Sequence, residues 1–239
     1  MDNIQDHIMS DHSGLNQHGR RMVTREYISR VITGLILFLS SGDWGWMRAW
    51  VYVGLGFATI LMVHWFVVRK HPELYNERGQ TGENAKEWDR RWLKLYVLVY
   101  YLSLAVMGLD RRFDWSSLSG AWIYPGALLI LASGALNSWA MAENAFFSSL
   151  IRIQEERGHR VVTSGPYNII RHPGYLGGSL YYVGTPMILD SWIGFIFSVL
   201  IIGGFAARIR FEEKTLDEEL EGYREYTEKV PYRLLPGVW

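Results

Sequence analysis

Apolar and polar residues fall in long separate blocks along this chain, with no alternation at the short period of a half-buried strand. Four runs, Ala49–Val68, Leu93–Leu109, Ala121–Met141 and Trp192–Ala207, approach the ~20 apolar residues that carry a helix across a bilayer. Two weaker runs accompany them. Tyr27–Leu39 is short, and Tyr175–Leu189 carries glycines and Pro186, which membrane helices tolerate when neighbours satisfy the loosened backbone. The pattern predicts an all-α integral membrane protein with about six transmembrane helices, or five if one weak run stays outside the bilayer. Asp190 and Ser191 barely separate the last two runs, so these form a tight hairpin. Residues 1–26 read as a polar tail, 27–141 as transmembrane helices with an amphipathic loop, and 142–239 as a unit carrying most of the polar material. Within the loop 69–92, Trp88 and Trp92 point to an interfacial helix. The pair Val161–Val162 predicts a short extended piece.

Charge supplies the orientation. If six spans leave both termini cytoplasmic, 21 of the 24 Lys and Arg residues lie on the cytoplasmic side, against Arg48, Arg111 and Arg112 on the other. That asymmetry follows the positive-inside rule and supports the two weak runs, since dropping either one strands a basic loop on the wrong side. Asp and Glu also number 24, and zero net charge argues against a nucleic-acid partner. The absence of Cys excludes disulfides, thiolate metal sites and a Cys nucleophile. The polar start has no secretory-signal pattern. His7, His12 and His18 are irregularly spaced in it and read as solvated side chains, so no metal site is expected. His64 and Asn137 interrupt long spans and are expected to make local helix–helix hydrogen bonds rather than a conduction path.

Candidate chemistry gathers at the two ends of the closing hairpin. "TSGPYNIIRHPGYLGG", Thr163 to Gly178, places prolines, glycines and an Arg-His pair before the fifth span. Gly165-Pro166 marks a turn, and Pro173 suits a first helical position. The amides exposed at that helix start, with Arg171 and His172 beside them, suit an anionic group. "RIRFEEKTLDEELEGYREY" begins where the sixth span ends. On a continuing helix Arg208 shares a face with Glu212, and Ile209 with Glu213. A hairpin brings these ends together. Separate cationic and acidic sub-sites suit a zwitterion, and aromatic faces such as Tyr167, Tyr175 and Tyr182 favour a sulfonium or quaternary ammonium. S-adenosylmethionine combines both features. A solvated acidic face with positive-inside arginines is the plain alternative.

"GPYNIIRHPGY", followed by a hydrophobic hairpin and then by "RIRFEEKTL" and "GYREYTEKVPYRLLP", resembles the isoprenylcysteine carboxyl methyltransferase family of integral membrane methyltransferases. Phospholipid methyltransferases are similar in this region. The resemblance covers about residues 143–236 and implies a methyltransferase core in 142–239, with a cytosolic pocket for S-adenosylmethionine. It implies cofactor-binding roles for Gln154, His159, Arg160, Val161 and Val162, for Tyr167 of the Gly-x-Tyr turn, and for Arg171, His172, Pro173, Gly174 and Tyr175 of the Arg-His-Pro-x-Tyr motif. Glu212 is the family's cofactor contact, with Glu213 beside it as a further candidate. Arg208 is linked to substrate and catalysis. The spacing between Gln154 and His159 is altered from the family pattern, and Leu220-Glu221-Gly222 stand where Phe-Gly is common.

The implied reaction is an in-line displacement onto an ionised carboxylate. It needs positioning and desolvation but no general base and no metal. A prenylated cysteine is the family's acceptor. A phospholipid amine, a small thiol or another lipophilic acid satisfies the same geometry, although an amine would need a proton removed. Two other classes remain open here. One is a sterol-reductase-like membrane enzyme using NADPH. The other is a non-catalytic membrane scaffold or transporter subunit. The bilayer is the expected partner, and oligomeric state is not encoded in any feature above.

Overall fold

The computed structural model describes residues 14–69, 71–80 and 86–239, and all regular structure among them is helical. His7 and His12 lie outside the described residues. Helix α1 (Gln17–Ser41) starts well before the apolar run at Tyr27. The reason is local: the Asn16 side chain accepts from the amides of His18 and Gly19 at 2.9 and 3.0 Å, an N-cap that hydropathy does not register. So the expected tail 1–26 is helical from Gln17, and His18 belongs to the first turn. Helix α2 (Met47–Val63) continues through a π turn, His64–Val68. Helix α3 (Pro72–Arg78) is short and opens on proline. Helices α4 (Glu87–Phe113), α5 (Ile123–Glu143), α6 (Pro173–Leu189), α7 (Trp192–Glu219) and α8 (Tyr223–Lys229) follow. Trp88 and Trp92 sit in the first turns of α4, so among the described residues of the loop expected to hold an interfacial helix, α3 is the separate helix.

Four helical stretches, Met47–Val68, Glu87–Phe113, Gly120–Glu143 and Trp192–Glu219, are long and apolar enough to cross a membrane by length and composition. The two weak runs are α1 and α6. Arg20, Arg21, Arg25, Glu26 and Arg30 dilute α1, and α6 has 17 residues. Large apolar side chains such as Leu128, Ile196 and Val199 are exposed on the helices, as a lipid-facing surface requires.

Lipid is as apolar as leucine, so helix association here rests on close packing and internal polar contacts. The most extensive contact joins α5 to α6. A Cβ on Gly184 would lie 2.8 Å from the carbonyl oxygen of Gly126, and one on Gly126 would lie 2.9 Å from Met187 Cβ, so only glycine lets these backbones meet. Polar groups inside the bundle are paired locally, across helices as expected for His64 but within its own helix for Asn137. His64 Nε2 is 2.9 Å from Glu26 Oε2, and Asn137 Nδ2 donates to the Ser133 carbonyl at 3.0 Å. Arg30 donates to the Tyr181 hydroxyl at 2.7 Å, which lies 2.8 Å from that of Tyr52.

Helix α6 opens on Pro173, and only Asp190 and Ser191 separate it from α7, so the hairpin forms where it was expected. Asp190 takes the left-handed conformation, φ +65°, that turns the chain, and its carboxylate accepts from the Leu118 amide at 2.7 Å. Beside it, fully buried Asp110 accepts from the Ser116 amide and hydroxyl, both at 2.7 Å, and from Ser191 Oγ. This closed end holds the hairpin in place. At its open end, α7 runs on as helix for about 18 Å beyond its apolar part, carrying Arg208 to Glu219 past the start of α6.

Candidate active site

The segment between α5 and α6 has no strand, and Val161–Val162 is irregular rather than extended-paired. It is tied by side chains instead. Gln154, 1% exposed, donates to the Phe146 carbonyl at 2.8 Å and accepts from Arg157 at 2.5 Å. Arg152 is ion-paired with Glu77 and Glu156, anchoring the loop to α3. Tyr226 of α8 donates to the Tyr167 carbonyl at 2.7 Å. These ties wrap the loop and α8 around a cavity of about 310 Å³, at the low end of the size range of small-molecule sites.

Most of the residues singled out in the sequence line that cavity: His159, Arg160, Val161, Val162, Tyr167, Arg171, His172, Pro173, Gly174, Tyr175, Arg208 and Glu212. Two do not. Gln154 lies behind the wall, where its amide is spent on the loop. Glu213 points the other way, accepting from Arg171 Nε at 2.7 Å, Arg233 Nε at 2.6 Å and His172 Nε2 at 3.2 Å. Helix geometry explains this: Glu213 is one residue, about 100°, around from Glu212. Arg171 also donates to the carbonyls of Val230 and Pro231 at 2.8 and 3.0 Å. The Arg-His pair therefore locks the C-terminal segment to the α6 start, and its polar head groups are already engaged.

The chemistry centres on Tyr175. Its hydroxyl accepts from Arg208 Nη1 at 2.8 Å and donates to Glu212 Oε2 at 2.5 Å. Arg208 also gives Nε to Asp89 Oδ1 at 2.6 Å and Nη2 to Asp89 Oδ2 and the Ser149 carbonyl, both at 2.9 Å. A guanidinium has five donors, so one remains uncommitted, on Nη1. Among the described residues no hydrogen bond reaches Glu212 Oε1. Arg160 likewise has no ion pair among them. The guanidinium of Arg208 lies 5.0 Å from the Trp92 ring centre, and Tyr96 and Phe205 continue the aromatic wall.

Sequence reasoning missed Asp89, Trp92, Tyr96 and the two α8 tyrosines. Asp89 is fully buried in the first turn of α4, far from the motifs in sequence. Its signal was an acid at the polar boundary of a span, indistinguishable in one sequence from a helix-dipole carboxylate. Among the described residues two buried side-chain atoms have no partner, Arg78 Nε and Tyr223 Oη, and both belong to residues lining this cavity. Unpaired buried donors are costly, and a polar ligand in the cavity would satisfy them. Burial pushes the Tyr167 and Tyr223 phenols up, keeping them neutral donors. Burial, with Arg157 and Arg152 nearby, pushes His159 down to about 4, so its ring is neutral at pH 7, consistent with Nδ1 accepting from the Gln154 amide at 3.3 Å.

The family model for phospholipid methyltransferase matches residues 122–221. Protein-S-isoprenylcysteine O-methyltransferase B of Arabidopsis thaliana is 41% identical over 87 residues, 36% of this chain and 44% of that protein. A probable protein-S-isoprenylcysteine O-methyltransferase of Oryza sativa subsp. indica is 31% identical over 143 residues, 57% of this chain and 74% of that protein. Protein-S-isoprenylcysteine O-methyltransferase A of Arabidopsis thaliana is 34% identical over 140 residues, 57% of this chain and 68% of that protein. The chain thus spans less than half the length of the first of these relatives and about seven-tenths of the other two.

Proposed function

We propose, from the premise that the chain belongs to the protein-S-isoprenylcysteine O-methyltransferase family, that this integral membrane protein transfers a methyl group from S-adenosylmethionine to the carboxylate of an isoprenylcysteine-like acceptor. One observation carries the reading: a cationic and an acidic side chain, Arg208 and Glu212, share one cavity wall at the open end of a membrane hairpin, each with hydrogen-bonding capacity left over.

When bound, S-adenosylmethionine supplies a methyl group already activated as a sulfonium. Glu212, through its uncommitted oxygen, would hold its ammonium. Arg160 and the amide of Gly174, which by position has no helical acceptor, would hold its carboxylate. The Tyr223 hydroxyl and Arg78 Nε offer donors to its polar edge. His159, Val161, Val162 and the aromatic wall exclude water around the reacting centre, and the ring faces favour a cation. The remaining Nη1 proton of Arg208 orients the acceptor carboxylate. That carboxylate is ionised near pH 7, so no residue has to take a proton. Trp92, Tyr96 and Phe205 carry the cavity from polar loop to apolar helix, which suits an acceptor with an aqueous head and a lipid tail.

The lysine and arginine distribution supports six spans, with both termini and the cavity on the cytoplasmic side. Residues 142–239 then form the methyltransferase core, completed by the first turns of α4. Purified protein in detergent tests the reading. Calorimetry should detect S-adenosylmethionine binding, and a screen of prenyl-cysteine, phospholipid and thiol acceptors should give methyl transfer to the prenyl-cysteine. No binding of S-adenosylmethionine, with thermal protection by NADPH instead, would overturn it in favour of a reductase.

A further inference from the structure

Arg208 and Glu212 are four residues apart on α7, the spacing at which opposite charges on a helix pair by default. They do not pair here. The guanidinium is turned towards α4, where both oxygens of Asp89 hold it, at 2.6 and 2.9 Å, in a two-pronged ion pair. The Tyr175 hydroxyl fills the space left between Arg208 and Glu212. Asp89 is fully buried, and its Oδ2 also accepts from the Ile151 amide of the cavity loop at 2.7 Å. One carboxylate thus fastens α4, α7 and the loop to each other. It lies outside residues 122–221, where the family model matches.

We propose that Asp89 is a positioning residue that holds Arg208 away from Glu212, so that the acidic and cationic sub-sites do not neutralise each other. The consequence is electrostatic as well as geometric. Around Tyr175, Asp89 neutralises Arg208 and leaves the Glu212 charge uncompensated there, while Arg78 and Arg160 line the cavity for the donor's carboxylate and polar edge. The methyl donor has an ammonium, a carboxylate and a sulfonium, a net positive charge. Its product, S-adenosylhomocysteine, has lost the sulfonium charge and is neutral overall. Glu212, kept free of a direct ion pair with Arg208, faces the positive end of the donor, so loss of the sulfonium charge weakens that local attraction and favours donor over product. Without Asp89 the guanidinium swings to its helical neighbour, Glu212 is occupied, and that preference is lost.

This inference rests on the functional reading above, and the two fail differently. The experiment compares the wild type, Asp89→Asn, Glu212→Gln and the double variant in detergent. It measures calorimetric Kd for S-adenosylmethionine and S-adenosylhomocysteine, and kcat and KM for a prenyl-cysteine acceptor. Asp89→Asn should weaken donor binding about tenfold and product binding about threefold or less. It should lower kcat about 30-fold with a smaller rise in acceptor KM, since misoriented groups lose the reaction geometry first. In the Glu212→Gln background it should weaken donor binding by less than twofold, because the group it protects is already gone. Equal losses for donor and product, or additive losses in the double variant, would reduce Asp89 to a structural role and overturn the proposal. So would wild-type Kd and kcat in Asp89→Asn. A wild type that binds no S-adenosylmethionine removes the functional reading, and this inference with it. If Asp89→Asn does not fold, Asp89→Glu carries the test. It keeps the buried counter-charge but pushes the guanidinium about 1.5 Å, one C–C bond, towards Glu212. Folded Asp89→Glu should lose about tenfold in kcat, and wild-type kcat in that variant overturns the proposal.

Discussion

The two ends of the α6–α7 hairpin use the same kinds of residue for opposite ends. At the closed end, Asp110, Ser116, Ser191 and Asp190 turn on one another and on backbone amides, and none of them is left without a partner. At the open end, a comparable set of charges is held short of closure. Glu212 keeps one oxygen uncommitted, Arg208 keeps one donor, and Tyr223 Oη and Arg78 Nε are buried without partners. A polar cluster that satisfies itself is a fastener. One that is kept from satisfying itself, beside a cavity, is built to receive something.

Mutation should separate the two ends. At the open end, Arg208→Ala or Glu212→Ala should cut methyl transfer about 1,000-fold or more, in line with the loss of a key charge-stabilising group, while the protein still inserts and elutes as a single species. Full activity in either variant would erase the distinction drawn above. At the closed end, Asp110→Ala should cost about 3 kcal/mol of stability, since it strands buried serine and amide donors. In the surviving folded fraction, S-adenosylmethionine Kd and kcat should stay within about twofold of wild type. A large catalytic loss there would mean that the ends are not independent. Tyr223→Phe removes a hydroxyl that has no partner among the described residues. Thermal stability should hold or rise slightly, while S-adenosylmethionine binding weakens about fivefold, roughly the 1 kcal/mol of one hydrogen bond. A drop in stability with unchanged binding would place that hydroxyl among the fasteners.

The smallest effect is one of pH. His159 is pushed down to about 4 in the folded loop, against an ordinary value near 6.5. The unfolded chain therefore takes up a proton first as pH falls. This contribution to loop stability is complete above about 6.5 and is lost between about 6.5 and 4. Hydrogen-exchange protection factors in residues 144–172, corrected for the intrinsic pH dependence of exchange, should fall over that window, and His159→Gln should flatten the response. The His159 ring centre lies 4.5 Å from that of Phe146, and an unchanged profile in the variant would show that the ring is solvated rather than packed there.

How much of this was legible depends on distance along the chain. The hairpin, Pro173 as the first residue of α6 and the shared face of Arg208 and Glu212 could all be read directly, because each is a matter of neighbours or of one helical turn. Asp89 could not, because 119 residues separate it from the arginine it holds. Glu212 and Glu213 look alike in sequence, yet one lines the cavity and the other locks the C-terminal segment. Gln154 and the Arg171-His172 pair sit in recognisable motifs, but their polar groups are spent on the loop and on Glu213.

Hydropathy and helix-breaking residues, which act over a few residues, determined by themselves that this chain is a set of long helices with a proline-led hairpin and its polar chemistry at one end. Only the tertiary structure decided which charges pair and which stay available. Ion pairs and orphaned donors depend on what a buried side chain meets across the fold, and burial raises the cost of every choice.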